Sequence, residues 1–240
     1  MNPTLEMTIR EVVATDYRTA AVFQRHGIDF CCSGCRTLEQ GCRDADVNRE
    51  QLLRELHAAM QSPAAETTRF NEWDARTLAS YITSRHHEYV RQAIPPLLRH
   101  TKKISEVHGE RHPELAHIAS LFERVADEMT DHMMKEERVL FPFIVRLEDA
   151  VATGAGAPVA PFGTVDNPIR MMESEHQFVG DAMAEIRHLT NDFTLPDGAC
   201  STYRVTLQEL DAFERDLHEH VHLENNLLFP KAAALEASLV

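Results

Sequence analysis

The sequence predicts an all-α protein: an up-and-down four-helix bundle over residues 72–240, preceded by a small helical, cysteine-containing domain over residues 1–61. Three observations lead there. Apolar residues recur at spacings of three and four over stretches longer than an ordinary globular helix, the period of a buried helical stripe. Two segments break that pattern: Ser62 to Asn71 (SPAAETTRFN), read as a linker, and Ala152 to Thr164 (ATGAGAPVAPFGT), read as a loop between long helices. The two halves of the C-terminal region also repeat one another. No strand pattern of useful length competes.

The long helices are expected at about 74–101, 113–150, 167–192 and 200–235. Asn167 before Pro168 offers an N-cap with proline at the first helical position, and Pro113 after His112 is placed similarly. Ahead of residue 60 the pattern supports only short helices, near 8–13, 17–26, 34–44 and 47–60, around a cluster of cysteines.

Composition narrows the function. With 43% hydrophobic and 26% charged residues, 9 Gly and 11 Pro, the chain can bury a core and is not disordered. A formal net charge of -14 repels phosphate backbones and anionic lipid surfaces, so neither nucleic acid nor membrane is an expected partner. The opening residues, MNPTLEMTIREVV, lack a basic segment followed by an apolar one, and no later stretch reaches the roughly 18 apolar residues of a spanning helix. A cytoplasmic location is the expectation. In a reducing compartment, four thiols crowded between Cys31 and Cys42 suit metal binding or thiol chemistry better than a disulfide framework.

The repeat carries the chemistry. His132-Met-Met-Lys-Glu136-Glu-Arg-Val-Leu-Phe141-Pro142 parallels His220-Val-His-Leu-Glu224-Asn-Asn-Leu-Leu-Phe229-Pro230, both reading His-x3-Glu-x4-Phe-Pro. Upstream, His87-Glu-Tyr-Val90 parallels His176-Gln-Phe-Val179. The offsets, 89 residues for the lone histidines and 88 for the paired motifs, are those of a duplicated helical hairpin. Residues at i and i+4 lie about 40° apart on a helix, so each His-x3-Glu pair shares a face. That face is the apolar one: Ile118, Leu121, Val125, Glu128/Met129, His132, Glu136, Val139 and Phe143 in the second helix, and Leu207, Leu210, Phe213, Leu217, His220, Glu224 and Leu228 in the fourth. In the third, His176 falls between Met172 and Val179.

Six polar groups converging on an apolar core are costly without a partner, and a pair of metal ions supplies one. Four imidazoles and two carboxylates suit iron or manganese, with each glutamate able to bridge and with coordination positions left for an oxo or hydroxo bridge, O2 or NO. A lone histidine in an apolar stripe is ordinarily a hydrogen-bonded core residue; duplication, shared face and matched spacing of six residues have no packing reason. The remaining histidines keep the ordinary reading. His218 and His222, about 200° from His220, are expected to face solvent, and His100, His108, His112, His117 and His188 have no mirrored counterpart. Periodicity puts both His86 and His87 near the inner face; only the parallel with His176 favours His87. Phe-Pro is expected to end or kink each helix beyond the ligands.

These motifs, with MESEHQFVG (Met172–Gly180), DHMMKEERVLFP (Asp131–Pro142) and HLENNLLFP (His222–Pro230), resemble the repair-of-iron-centres family, di-iron proteins with a hemerythrin-like domain. DFCCSG (Asp29–Gly34) resembles the ScdA-type domain that precedes it in that family. The resemblance covers nearly the whole chain. It implies two non-haem iron ions, oxo- or hydroxo-bridged, on His87, His132, His176 and His220, with Glu136 and Glu224 as bridging carboxylates. It also implies that Glu128 and Glu175 line an access route to the metals. Family members are associated with nitrosative and oxidative stress, repair of damaged iron–sulfur clusters, and binding or reduction of NO. Oxygen-carrying hemerythrins use more histidine ligands than four, which argues against reversible O2 carriage here. The family's N-terminal motif has a vicinal cysteine pair followed by glycines; this chain adds Cys35 and Cys42.

Cys31, Cys32, Cys35 and Cys42 are numerous enough for a second metal site, and equally suit thiol redox exchange or iron transfer. Cys200, at the start of the last helix, reads as a packing residue. Three functional readings follow: repair of damaged iron–sulfur proteins by iron donation or NO removal, an NO scavenger or NO-reducing enzyme, and a non-enzymatic O2 or NO sensor with no attached output domain. A homodimer is compatible with the sequence, although no exposed apolar stripe argues for one.

Overall fold

The computed structural model describes residues 2–61 and 69–239, and it is the all-α bundle that the sequence predicts. Four short helices come first: α1 (Ile9–Thr15), α2 (Ala20–Arg25), α3 (Leu38–Asp44) and α4 (Arg49–Gln61). Thr8 and Thr37 start α1 and α3 with capping boxes closed by Glu11 and Gln40. Residues 34–36, expected to be helical, form the turn that leads into the Thr37 cap. Most of the expected linker, Ser62–Thr68, lies outside the described residues. Its end is structured, because Phe70 is buried against Trp73 and Tyr81 at ring distances of 4.9 and 5.3 Å.

The bundle consists of four long rods. The first joins α5 (Ala75–Tyr81) through a π-helical turn, Ile82–His87, to α6 (Glu88–His108). It outruns its expected end at 101 because Ile104 continues the buried stripe. The second joins α7 (Glu114–Lys135) through a π turn, Glu136–Leu140, to α8 (Phe141–Thr153). The third is α9 (Asp166–Leu189), with no interruption. The fourth joins α10 (Ser201–Leu223) through a third π turn, Glu224–Leu228, to α11 (Phe229–Ala237). Gly154, left-handed at φ 66°, ends the second rod as a C-cap that glycine adopts without strain.

Three expectations about helix ends are corrected. Asn167 is not an N-cap: α9 begins at Asp166, the Glu236 carboxylate accepts from the Val165 N–H, and Asn167 Nδ2 donates to the Phe162 carbonyl. Pro113 precedes the first helical residue of α7 rather than occupying it. Nor do the Phe-Pro pairs end their rods, which run on to Thr153 and Ala237. Pro142 and Pro230 fall in the first turn after a π segment, where the ladder is already rearranged and a missing N–H costs little. The same π turn shifts the register of the second rod. Val139, expected inside, is 45% exposed, while Leu140 takes its place at 1%.

Two apolar clusters fill the molecule. One unites the N-terminal helices (Ile9, Phe23, Leu38, Leu52) with one end of the bundle (Ile94, Phe122, Ile186, Phe213). The other fills the opposite end, with Leu78, Phe143, Ile169 and Leu228. Phe122 meets Phe213 edge to face at 5.4 Å, and truncating such a buried ring costs about 3–5 kcal/mol.

The N-terminal helices dock on the outer face of the fourth rod, which overturns the solvent-facing assignment of His218 and His222. His222 is 1% exposed, packed by Tyr17 and Phe30, and Phe30 also covers the partly buried His218 at 5.7 Å. Polar contacts pin the seam. Arg10 Nε donates to Asn226 Oδ1 at 2.8 Å, and Asn226 Nδ2 donates to the Phe30 carbonyl at 3.0 Å. A Cβ on Gly34 would meet Asn226 Oδ1 at 2.7 Å, so this close approach requires glycine.

Burial, reinforced by Arg10, pushes His222 down to about 3. Its depressed value means that the stability it contributes is present above the unfolded value near 6.5 and is lost as pH falls from there towards 3. Denaturant titrations should therefore show an acid destabilisation that shrinks in His222→Gln, by about 2 kcal/mol at pH 5.

Candidate metal centre

The two apolar clusters leave one polar layer between them. On the first rod His87 lies between Ile82 of one cluster and Val90 of the other; on the third, His176 lies between Met172 and Val179; on the second and fourth, His132 to Glu136 and His220 to Glu224 occupy the same level. All six side chains are at most 1% exposed. Three of the four rods make their π turn here, and each π turn begins or ends at one of the six residues.

The geometry divides the six residues into two overlapping sets, His87/Glu136/His220/Glu224 and His132/Glu136/His176/Glu224, each with its ligand-type atoms within 4.8 Å of one another. Both glutamates belong to both sets. His132 Nε2 and His176 Nε2 face each other at 3.0 Å, His176 Nε2 is 3.0 Å from Glu224 Oε2, and His220 Nε2 is 2.9 Å from Glu224 Oε1. Glu136 Oε2 lies 3.3 Å from both His87 Nε2 and His132 Nε2.

Outer partners fix which nitrogen faces inward. His87 Nδ1–H donates to Glu137 at 2.7 Å, His132 Nδ1–H to Glu175 at 2.9 Å, and His176 Nδ1–H to Asn225 Oδ1 at 2.8 Å. In the neutral rings Nε2 is then a lone pair, so acceptors confront acceptors across the layer. Among the described residues, His87 Nε2, both Glu136 oxygens and Glu224 Oε2 have no hydrogen-bond partner. Such an array is unfavourable unless cations lie within it. The electrostatics point the same way. Burial alone would lower His87 and His132, yet the carboxylates of Glu136 and Glu224 around His87, and of Glu136, Glu175 and Glu224 around His132, raise each to about 10. Glu136 and Glu224 are held below the usual carboxylate range against burial, Glu224 furthest, by the surrounding imidazoles. The residues present therefore fit a pair of metal ions sharing two carboxylates.

His86 does not join either set. It stacks on His220 at 5.5 Å with Nδ1 3.1 Å from Asp216 Oδ1. Glu175 holds His132 from outside and pairs with Lys135. Glu128, one turn before His132, is half-buried and makes no hydrogen bond or ion pair among the described residues. Sequence reasoning missed Glu137 and Asn225. Both follow the glutamate of the repeated motif, and the duplication itself was the available signal. A position about 100° round from the inner face meets the neighbouring rod, where the lone histidine stands.

The cysteines do not converge as one group of four. Cys31 and Cys32 place their sulfurs 3.9 Å apart, beside Asp29, whose Oδ1 accepts from both backbone N–H groups and lies 3.2 Å from Cys31 Sγ. Cys35 is exposed and Cys42 is buried in the apolar core; neither belongs to that set. The Cys32 sulfur, burial and Asp29 push the Cys31 thiol up. Cys200 corrects its packing assignment. It is exposed, with His108 Nε2 3.1 Å from its sulfur, a contact that lowers the thiol to about 7.

Fold and site together define a helical-bundle protein of the cation-binding class. Residues 78–232 match the family described as the hemerythrin HHE cation binding domain, and residues 5–60 match ScdA_N, a domain of unknown function (DUF542). The chain belongs to the hemerythrin family. Relatives named iron-sulfur cluster repair protein YtfE occur in Yersinia pestis (strain Pestoides F), 35% identical over 215 residues, covering 90% of this chain and 91% of the relative. The protein of that name in Yersinia pseudotuberculosis serotype O:1b (strain IP 31758) is 34% identical over the same shares of both chains. Among the described residues no helix is long and apolar enough to cross a membrane.

Because bound cations stabilise only the folded chain, stripping metal with a chelator should lower the melting temperature. At 100-fold excess over Kd the difference is about 2.7 kcal/mol, or roughly 5–10 °C for a chain of this size. Calorimetry of His132→Ala and Glu224→Ala should show that difference collapse.

Proposed function

We propose that the polar layer holds two non-haem iron ions, one on His87 and His220, the other on His132 and His176, with Glu136 and Glu224 bridging both. The observation that carries this reading is the facing pair of imidazole nitrogens, 3.0 Å apart, with both Nδ1 protons committed outward. A metal cation held between the rings relieves that contact, as does a proton on one of the two nitrogens, and two metal ions do so while also meeting both carboxylates. Two histidines and shared carboxylates leave each ion positions for a small ligand, and iron so held supplies electron transfer and small-molecule binding when present.

The protein's own groups support exchange at this centre. Glu175 joins the His132 ring to Lys135 at the edge of the layer, its side chain 13% exposed, and Glu128 lies one turn before His132 on α7. We assign this acidic pair to the route by which ions or protons reach the layer. Cys31 and Cys32 lie on the docking side of the fourth rod and are assigned to electron or iron handling. The biological role we infer is repair of damaged iron–sulfur proteins in the stress response, which the names of the relatives support. Lowering of NO, as a scavenger or reductase, is the second reading, favoured by coordination more open than that of an oxygen carrier.

Metal analysis should return two irons per chain, falling sharply in His176→Ala. Iron-loaded protein should speed reactivation of a cluster enzyme inactivated by NO beyond an equal amount of free ferrous iron. Equal rates would remove the repair reading. Uptake of NO by the reduced protein with release of N2O, without reactivation, would favour the second.

A further inference from the structure

Glu137 and Asn225 occupy the same position in the two copies of the motif, immediately after Glu136 and Glu224. Each accepts from the Nδ1–H of the lone histidine of its half, His87 at 2.7 Å and His176 at 2.8 Å. Only the chemistry differs. Glu137, 26% exposed, also pairs with Arg91. Asn225 is 3% exposed and spends its other end on the N-terminal domain, where Nδ2 donates to the Cys31 carbonyl at 3.2 Å. A carboxylate could not make that second bond, because it has no proton to donate to a carbonyl. The departure from the repeat therefore occurs where the cysteine loop docks. Two consecutive hydrogen bonds run from the backbone of Cys31, through Asn225, to the imidazole.

Resting on the metal-centre reading above, we propose that Asn225 is a positioning residue that couples the Cys31–Cys32 loop to His176. The state of the thiol loop then sets how that ring presents Nε2 to its metal. Partners on the outer nitrogen of a ligating imidazole govern its orientation and donor strength. Displacing the Cys31 carbonyl rotates or strips the amide that performs this task. The loop is poised to report chemistry, since the two sulfurs are 3.9 Å apart and Cys32 is partly exposed. In the other half, Glu137 holds His87 and makes no hydrogen bond to the N-terminal domain among the described residues, so that half is the internal control.

The test uses full-length, iron-loaded protein, iodoacetamide labelling resolved by peptide mass spectrometry, and the optical and Mössbauer spectra. Asn225→Asp keeps an acceptor for His176 but turns an oxygen towards the Cys31 carbonyl. Cys31 should label about 3- to 10-fold faster, the loss of one net hydrogen bond in a local opening, and the iron spectra should shift. Glu137→Gln should shift the spectra and leave Cys31 labelling at the wild-type rate. In the wild type, alkylating the loop should itself move the iron spectra, a measurement that needs no variant, whereas in Asn225→Asp alkylation should add no further shift. Wild-type labelling in Asn225→Asp, or wild-type spectra unmoved by alkylation, would overturn the coupling. If the wild type takes up no iron, the metal-centre reading fails separately. The coupling is then read on the metal-free chain from the His176 ring nitrogen resonances, which move on alkylation if it exists and stay fixed if it does not.

Discussion

The structure depends on one constraint: a layer of four imidazoles and two carboxylates, almost fully desolvated, in which lone pairs face lone pairs. With neutral rings and no cation between them, each unpaired buried acceptor in the layer would cost on the order of 1–3 kcal/mol. Its tolerance is built from both sides. Apolar clusters above and below lock the four rods at a fixed separation, and a ring of outer hydrogen bonds turns the imidazoles so that their inner nitrogens converge. The π turns belong to the same solution. By opening the ladder for one turn at Ile82–His87, Glu136–Leu140 and Glu224–Leu228, they aim ligand-type side chains inward while the rods continue past them.

The outer ring breaks the internal symmetry. Carboxylates hold His87 and His132, an amide holds His176, and His220 Nδ1 has no hydrogen-bond partner among the described residues. The fourth rod is the one whose outer face is covered, by Tyr17, Phe30 and the Cys31 loop, and its π turn is buried throughout. The N-terminal helices are thus packed into the same apolar cluster as one end of the bundle. They also make polar contact with residues one position from a layer glutamate, which gives a small domain without a large core of its own a means to influence the centre.

Much of this was legible in the sequence. Helix class and rod order followed from spacing, and the convergence of the six polar residues followed from the duplicated motif. What escaped has a physical cause in each case. A strict 3.6-residue period cannot foresee a π turn, so Val139 was assigned inward when Leu140 takes that place. Helical angles place His218 and His222 opposite the site but say nothing of a second domain docked on that face. Cys200 looked like packing because its partner, His108, lies 92 residues away in sequence. Glu137 and Asn225 were hidden in plain repetition, since their value lies in the neighbouring rod and not in their own stripe.

The arrangement of the layer is tested most directly by crystallography of the metal-loaded protein with data on both sides of the iron absorption edge. Two anomalous peaks per chain, one between His87 and His220 and one between His132 and His176, with Glu136 and Glu224 reaching both, are the expected result. A single peak, or iron density beside Cys31 and Cys32 with the histidine layer empty, would contradict it.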